Sequence, residues 1–197
     1  MRFIKPWLLA LLVGLLVGSA PASEKYEIDP THSSVVFTVR HMMVANVSGR
    51  FKDISGSIIY DQKDATKSSV SVTIKTVSID TENENRDNHL RGPDFFDAAN
   101  YPDITFVSKK IAKRKDGFTA VGDLTIRGVT KEVTLPFKIL GTSKDSRGNV
   151  RLGVQAETKL NRFDYGVKWD QKMDDGGLVV GEEVALNLAV EAIARAQ

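Results

Sequence analysis

Apolar and polar residues alternate with a period of two in run after run of this chain, the pattern of strands that bury one face. Val35, Phe37, Val39 and His41 share one face of such a run, and Val70, Val72 and Ile74 share another, with a bulge expected near Thr76 before Val77 and Ile79 resume. Ile104 and Phe106 form a short run, followed by Phe118, Ala120, Gly122, Leu124 and Ile126, then Val133, Leu135, Phe137 and Ile139. The series closes with Val150, Leu152, Val154, Ala156 and Leu160, and with Val184, Leu186, Leu188 and Val190; the segment Ile54 to Tyr60 brings the expected count to about eight strands.

The segments between these runs carry turn chemistry at hairpin lengths, as in Lys115-Asp116-Gly117, Arg127-Gly128 and Asp145 to Gly148. Short connections between alternating strands predict an antiparallel meander, which either stacks as a sandwich or closes as a barrel. Runs of 11 or 12 residues, such as 149–160 and 182–193, favour a tall up-and-down barrel. Pro136 cannot donate to a ladder, so a bulge or an unpaired seam is expected there. Ala120 and Gly122 on one inward face would leave space inside, although eight strands enclose an interior that side chains can fill.

One segment breaks the alternation. In residues 86–106, RDNHLRGPDFFDAANYPDITF, a capping box of Thr81 and Glu84 predicts a short helix at about 82–91, with Gly92 and Pro93 as its stop. Phe95 and Phe96 follow on an irregular turn, where they serve as a gate or support for apolar space. NRFDYGVKWD at 161–170 sets Phe163, Tyr165 and Trp169 among charges at what would be the barrel mouth.

The N-terminus has Arg2 and Lys5, an apolar run from Leu8 to Val17 and the small-residue site Ala20-Pro21-Ala22, which together predict a secretory signal peptide cleaved after Ala22, leaving one domain over residues 23–197. With no cysteine in the chain there is neither a lipid-attachment site nor a disulfide, and a periplasmic location without a stable membrane anchor is expected. Loss of Arg2 and Lys5 reduces 27 basic residues to 25 against 25 acidic ones, so charge offers no support for nucleic-acid binding.

Chemistry is sparse. His32 and His41 are an odd number of residues apart and point to opposite faces of an uninterrupted strand, so they do not share an ion there; no metal is expected, and a two-histidine site with a carboxylate from Asp29 or Asp94 is the lesser alternative. Nucleophile-elbow, P-loop and dinucleotide fingerprints are missing, and no cofactor is expected. His41 ends an apolar face and reads either as a polar contact for an amphiphile or as a rim histidine satisfied by backbone. Arg86 and Arg91, near His89, could grip phosphate or carboxylate, or pair with Glu82 and Asp87 as surface charges.

The motifs YEIDPTHSSVVFTVRHMMVANVSGRF, SIDTENENRDNHLRGPDFFDAANYPDITF, GDLTIRGVTKEVTLPF, NRFDYGVKWD and LVVGEEVALNL, in that order over nearly the whole chain after residue 22, resemble the YceI-like proteins, a family of periplasmic lipid- or polyisoprenoid-binding proteins. The resemblance implies an all-β, eight-stranded, lipocalin-like antiparallel barrel with an elongated apolar pocket and a long-chain isoprenoid ligand. Carried onto this chain, it implies a pocket drawing on Phe37, Val39, His41, Phe51, Leu90, Phe95, Phe96 and Phe106, with Leu124, Phe137, Tyr165 and Trp169 as further wall and Arg91 beside the head group. The expected function is a non-enzymatic carrier of such a lipid. The rival readings are an enzyme acting on a lipid with His41 or His89 as general base, and a solid-barrelled structural or stress-related interaction protein. A homodimer enclosing a long tail is compatible with these residues and not required by them.

Overall fold

The computed structural model describes residues 23–174 and 176–194, so the expected cleavage site lies outside the described residues. Eleven strands are formed: β1 (Ser23–Ile28), β2 (Ser34–His41), β3 (Ala45–Phe51), β4 (Ile54–Asp61), β5 (Ser69–Lys75), β6 (Ile79–Asp80), β7 (Asp103–Arg114), β8 (Gly117–Ile126), β9 (Val129–Lys144), β10 (Val150–Asn161) and β11 (Val180–Ala194). All their pairings are antiparallel. Three successive pairs are halves of interrupted strands: β1 and β2 both run along β11, β4 and β3 lie beside them, and β5 and β6 follow on β4 and β3. Eight staves result, each beside its successor in the chain. The pairs Glu27↔Ile193 and Ile28↔Ala192 join first to last, giving the expected closed eight-stranded meander.

Two strands differ from their sequence patterns for identifiable reasons. β7 has 12 residues although only Ile104 and Phe106 announced it. A bulge between Ser108 and Lys110 flips the phase, so that Ile111 is buried while Val107 is half exposed, and the period of two is lost. The expected interruption near Thr76 is a 3-10 turn, Thr76–Ser78, whose first residue bonds the carbonyls of Pro102 and Tyr101 through its N–H and hydroxyl.

Pro136 lies where β9 changes neighbours. The β8 ladder runs from Ile126↔Val129 to Phe118↔Phe137, and the β10 ladder runs from Phe137↔Ala156 to Lys144↔Val150. Pro136 is one residue beyond the last β10 pair, a position that tolerates a residue without a donor. Among the described residues no ladder joins 129–136 to 157–161, so the expected seam is present.

The helix α1 (Glu84–Arg91) starts later than the capping box implied. Asp80 accepts from the Glu82 N–H and holds that residue at φ 61°, so the chain is still turning there; Asn83 becomes the cap, accepting from Arg86 N–H at 3.0 Å. Thr81 instead donates its N–H and hydroxyl to the buried Asp87 carboxylate. Gly92 is extended (φ −74°, ψ 175°), the conformation imposed by Pro93 rather than a left-handed glycine stop. Strand direction places α1, the loop 92–102, the turn 127–128 and the segment 162–179 at one end of the barrel, called here the lower end. The turns 62–68, 115–116 and 145–149 lie at the upper end.

Candidate functional site

The inward faces of the staves do not meet in the middle. A lower chamber of about 190 Å³ and an upper chamber of about 110 Å³ lie in line along the barrel and share Val72, Phe106, Leu135 and Leu188 as the waist between them. Their walls present almost no polar surface. No histidine, lysine or carboxylate of the described residues lines either one, and the polar residues that do are mostly hydroxyl-bearing, with Arg162 as the one cation.

The lower chamber is walled by nine of the residues nominated from the sequence: Phe37, Val39, Phe51, Leu90, Phe95, Phe96, Phe106, Leu124 and Tyr165. Phe137 lines the upper one. Phe51 packs between Phe37 and Phe96, with ring centroids 5.8 Å from each. Phe95 is buried against the chamber, while Trp169 and His89 form a second aromatic layer outside it at 5.4 and 5.0 Å. Trp169, His41 and Arg91 do not line either chamber. His41 pairs with Ala45 and Val180 at the end of β2. The Arg91 guanidinium is committed to the carbonyls of Val77 and Ile79, at 2.8 and 2.7 Å, which fastens α1 across the lower end.

Alternation had displayed several further wall residues that were not nominated, namely Val72, Ile74, Leu135, Leu160, Val184, Leu186 and Leu188. Arg162 is different, because no periodic signal marks it. It is only 7% exposed, and its guanidinium donates to the carbonyls of Val167, Val180 and Gly181 at 2.7 to 2.9 Å. Burial pushes its ionisation downward, with Glu182 and Asp170 opposing. Its bonds tie the segment after β10 to the start of β11, closing the floor of the lower chamber. Arg127 does similar work, donating to the carbonyls of Gly166 and Pro93.

Gly122 does not open space as its inward position implied. A Cβ there would lie 2.8 Å from Ser108 Cα and 2.9 Å from the Phe106 ring, so the missing side chain admits the bulged backbone of β7. Ala120, by contrast, does border the upper chamber.

The histidines sit in polar pairs. His89 Nε2 is 3.0 Å from Asp94 on the outside of the aromatic layer. His32 Nδ1 is 2.8 Å from Asp29 and 3.8 Å from Glu191, a three-residue group with ligand-like spacing. Arg151 already bridges both of those carboxylates and Asp145. The hydrogen bond from His32 is the main reason that the Asp29 carboxyl is held down at about 2. This cluster locks the crossing of β1, β10 and β11 and faces away from both chambers.

A family model described as the YceI-like domain matches residues 26–192. The chain belongs to the YceI-like family. Protein YceI of Escherichia coli O157:H7 is 39% identical over 178 residues, covering 89% of this chain and 90% of that protein. The crystal structure of the YceI protein of Campylobacter jejuni superposes with a TM-score of 0.69 at 36% identity, over 80% of this chain and 90% of that one. A domain from Saccharophagus degradans described as polyisoprenoid-binding shares the fold, with a TM-score of 0.62 at 18% identity over 86% of this chain and 98% of that one. The two-chambered interior is thus the feature of this YceI-like barrel that a function has to account for.

Proposed function

We propose that this YceI-like protein is a non-enzymatic binder that holds the hydrocarbon of an isoprenoid, polyprenyl or quinone-like, in its barrel and carries it through the periplasm. The observation that carries the reading is the interior itself: two apolar chambers in line, sharing the four wall residues of one waist, whose elongated arrangement suits a chain and whose walls expose almost no polar surface. Together they hold about 300 Å³. At roughly the 30 Å³ of a water molecule apiece, that is room for about ten methylene groups. Their transfer from water, at about 0.8 kcal/mol each, is worth about 8 kcal/mol before the cost of immobilising the ligand. Burial of the tail is therefore the main favourable term, and the net affinity is what is left once the immobilisation cost is subtracted.

The family and the polyisoprenoid-binding description of the Saccharophagus degradans domain support the same ligand class. The Arg2-Lys5 and Leu8–Val17 pattern ending in Ala20-Pro21-Ala22 supports export. Catalysis by His41 or His89 is disfavoured because neither reaches a chamber. Organic extraction of protein purified from its native host, followed by mass spectrometry, should return a prenyl lipid. Protein that yields none, and that fails to take up a prenyl alcohol in vitro, would remove this reading.

A further inference from the structure

Chambers without polar surface leave an amphiphile's head outside the barrel, and the seam between β9 and β10 is where the wall parts. The ladder between these strands ends at Phe137↔Ala156, and the lower end of the gap is clasped by Lys131 Nζ to Asp164 at 3.0 Å. At its upper apex, beside the turn between β7 and β8, a surface groove of about 400 Å³ opens to solvent. Phe137 and Ala156 line this groove and also line the upper chamber, so the outer groove and the apolar interior meet at those two side chains. Phe118, stacked on Phe137 at 5.6 Å, completes an apolar floor.

The rim of the groove has the opposite character. Arg114, Lys115 and Lys138 are exposed there and make no ion pair or side-chain hydrogen bond with any described residue, whereas Lys109, Lys131 and Lys159 on neighbouring surfaces are each held by carboxylates. Two acids share the rim: Asp116 and Glu157. Three unpaired cations around an apolar floor suit an ionised head on a hydrocarbon stem, since an anion gains charge-assisted bonds from Arg and Lys while its tail leaves water.

We propose that this groove is the head-group site and the loading portal: the tail passes between Phe137 and Ala156 into the chambers, and a phosphate or carboxylate head stays at the rim on Arg114, Lys115 and Lys138. The inference rests on the lipid-binding reading and adds an anionic head to it. Its test compares geraniol, geranyl phosphate and geranic acid, which share one ten-carbon tail of the size the two chambers hold, on the wild type and on the surface variant Arg114→Gln/Lys115→Gln/Lys138→Gln. The wild type should bind at least one of the anions about tenfold or more tighter than the alcohol, and whichever anion is preferred identifies the head as phosphate or carboxylate. In the variant, and in the wild type at high salt, that preference should collapse while the affinity for the alcohol is unchanged. Equal affinity for alcohol and anions in the wild type, a preference that survives the triple substitution, or a parallel loss for all three ligands would overturn the site and leave the lipid binder standing. A wild type that binds none of the three would remove both readings together.

Discussion

Filling part of the lower chamber should shorten the tail that the barrel accepts, and Val39→Phe is the substitution that isolates this effect. Val39 faces the lower chamber from β2, between Val47 and Val184, and does not border the upper one. The exchange adds four carbon atoms, and a chamber of 190 Å³ has room for about six methylene groups, so the new ring fits without forcing its neighbours apart. It displaces about four methylene groups of ligand, which at about 0.8 kcal/mol each is about 3 kcal/mol, a loss on the order of a hundredfold in affinity. The loss should fall only on tails long enough to fill both chambers. Prenyl alcohols lengthened one isoprene unit at a time, titrated against an environment-sensitive fluorophore, would show affinity rising in parallel for both proteins and then levelling off earlier in the variant. The thermal midpoint should hold or rise, because a void has been filled. A loss equal at every length, or no loss at any, would refute the assignment of this chamber to the tail.

Three further outcomes follow from the geometry. Arg162→Met leaves the carbonyls of Val167, Val180 and Gly181 without their donor and should cost roughly 3 kcal/mol in urea denaturation, with Arg162→Lys restoring only part, because one ammonium cannot span all three. Gly122→Ala should destabilise although it adds an apolar group on an inward face, since the new methyl meets the Phe106 ring and the β7 backbone; differential scanning calorimetry would show a lowered midpoint. The Asp29 carboxyl is lowered from 3.8 to about 2, so its contribution to stability is complete above about pH 4 and is lost as pH falls toward 2. Asp29→Asn should therefore flatten that part of the pH dependence of the urea midpoint, and an unchanged slope would contradict the pairing with His32.

Much of this fold was legible because a half-buried strand has no other way to write itself than by alternation, and the long runs of β8, β10 and β11 were uninterrupted enough to display it. β7 was legible only at its first residues, since its bulge reverses which parity faces inward. The chamber walls could be read from the same parity in Phe37, Val39, Phe106 and Leu124, aided by the family's motifs. Arg162 was not, because a buried arginine bonded to carbonyls is spelled like a surface charge and only the folded backbone shows what it holds. The groove at Phe137 was equally hidden: Pro136 marks a weak place in the wall, but how far β10 runs alongside β9 is decided by strand tilt and stagger around the whole barrel.

The two pairs that join Ile28 and Glu27 to β11 tie the first described strand to the last. A chain that emerges N-terminus first cannot shut this barrel until its final strand is free, so every earlier intermediate is a curled sheet with both margins exposed. Closure is then a late step with a long loop to gather, which makes slow folding the expected kinetics. The same arrangement leaves the chain an open sheet, able to be unthreaded, until the residues of β11 are available to shut it.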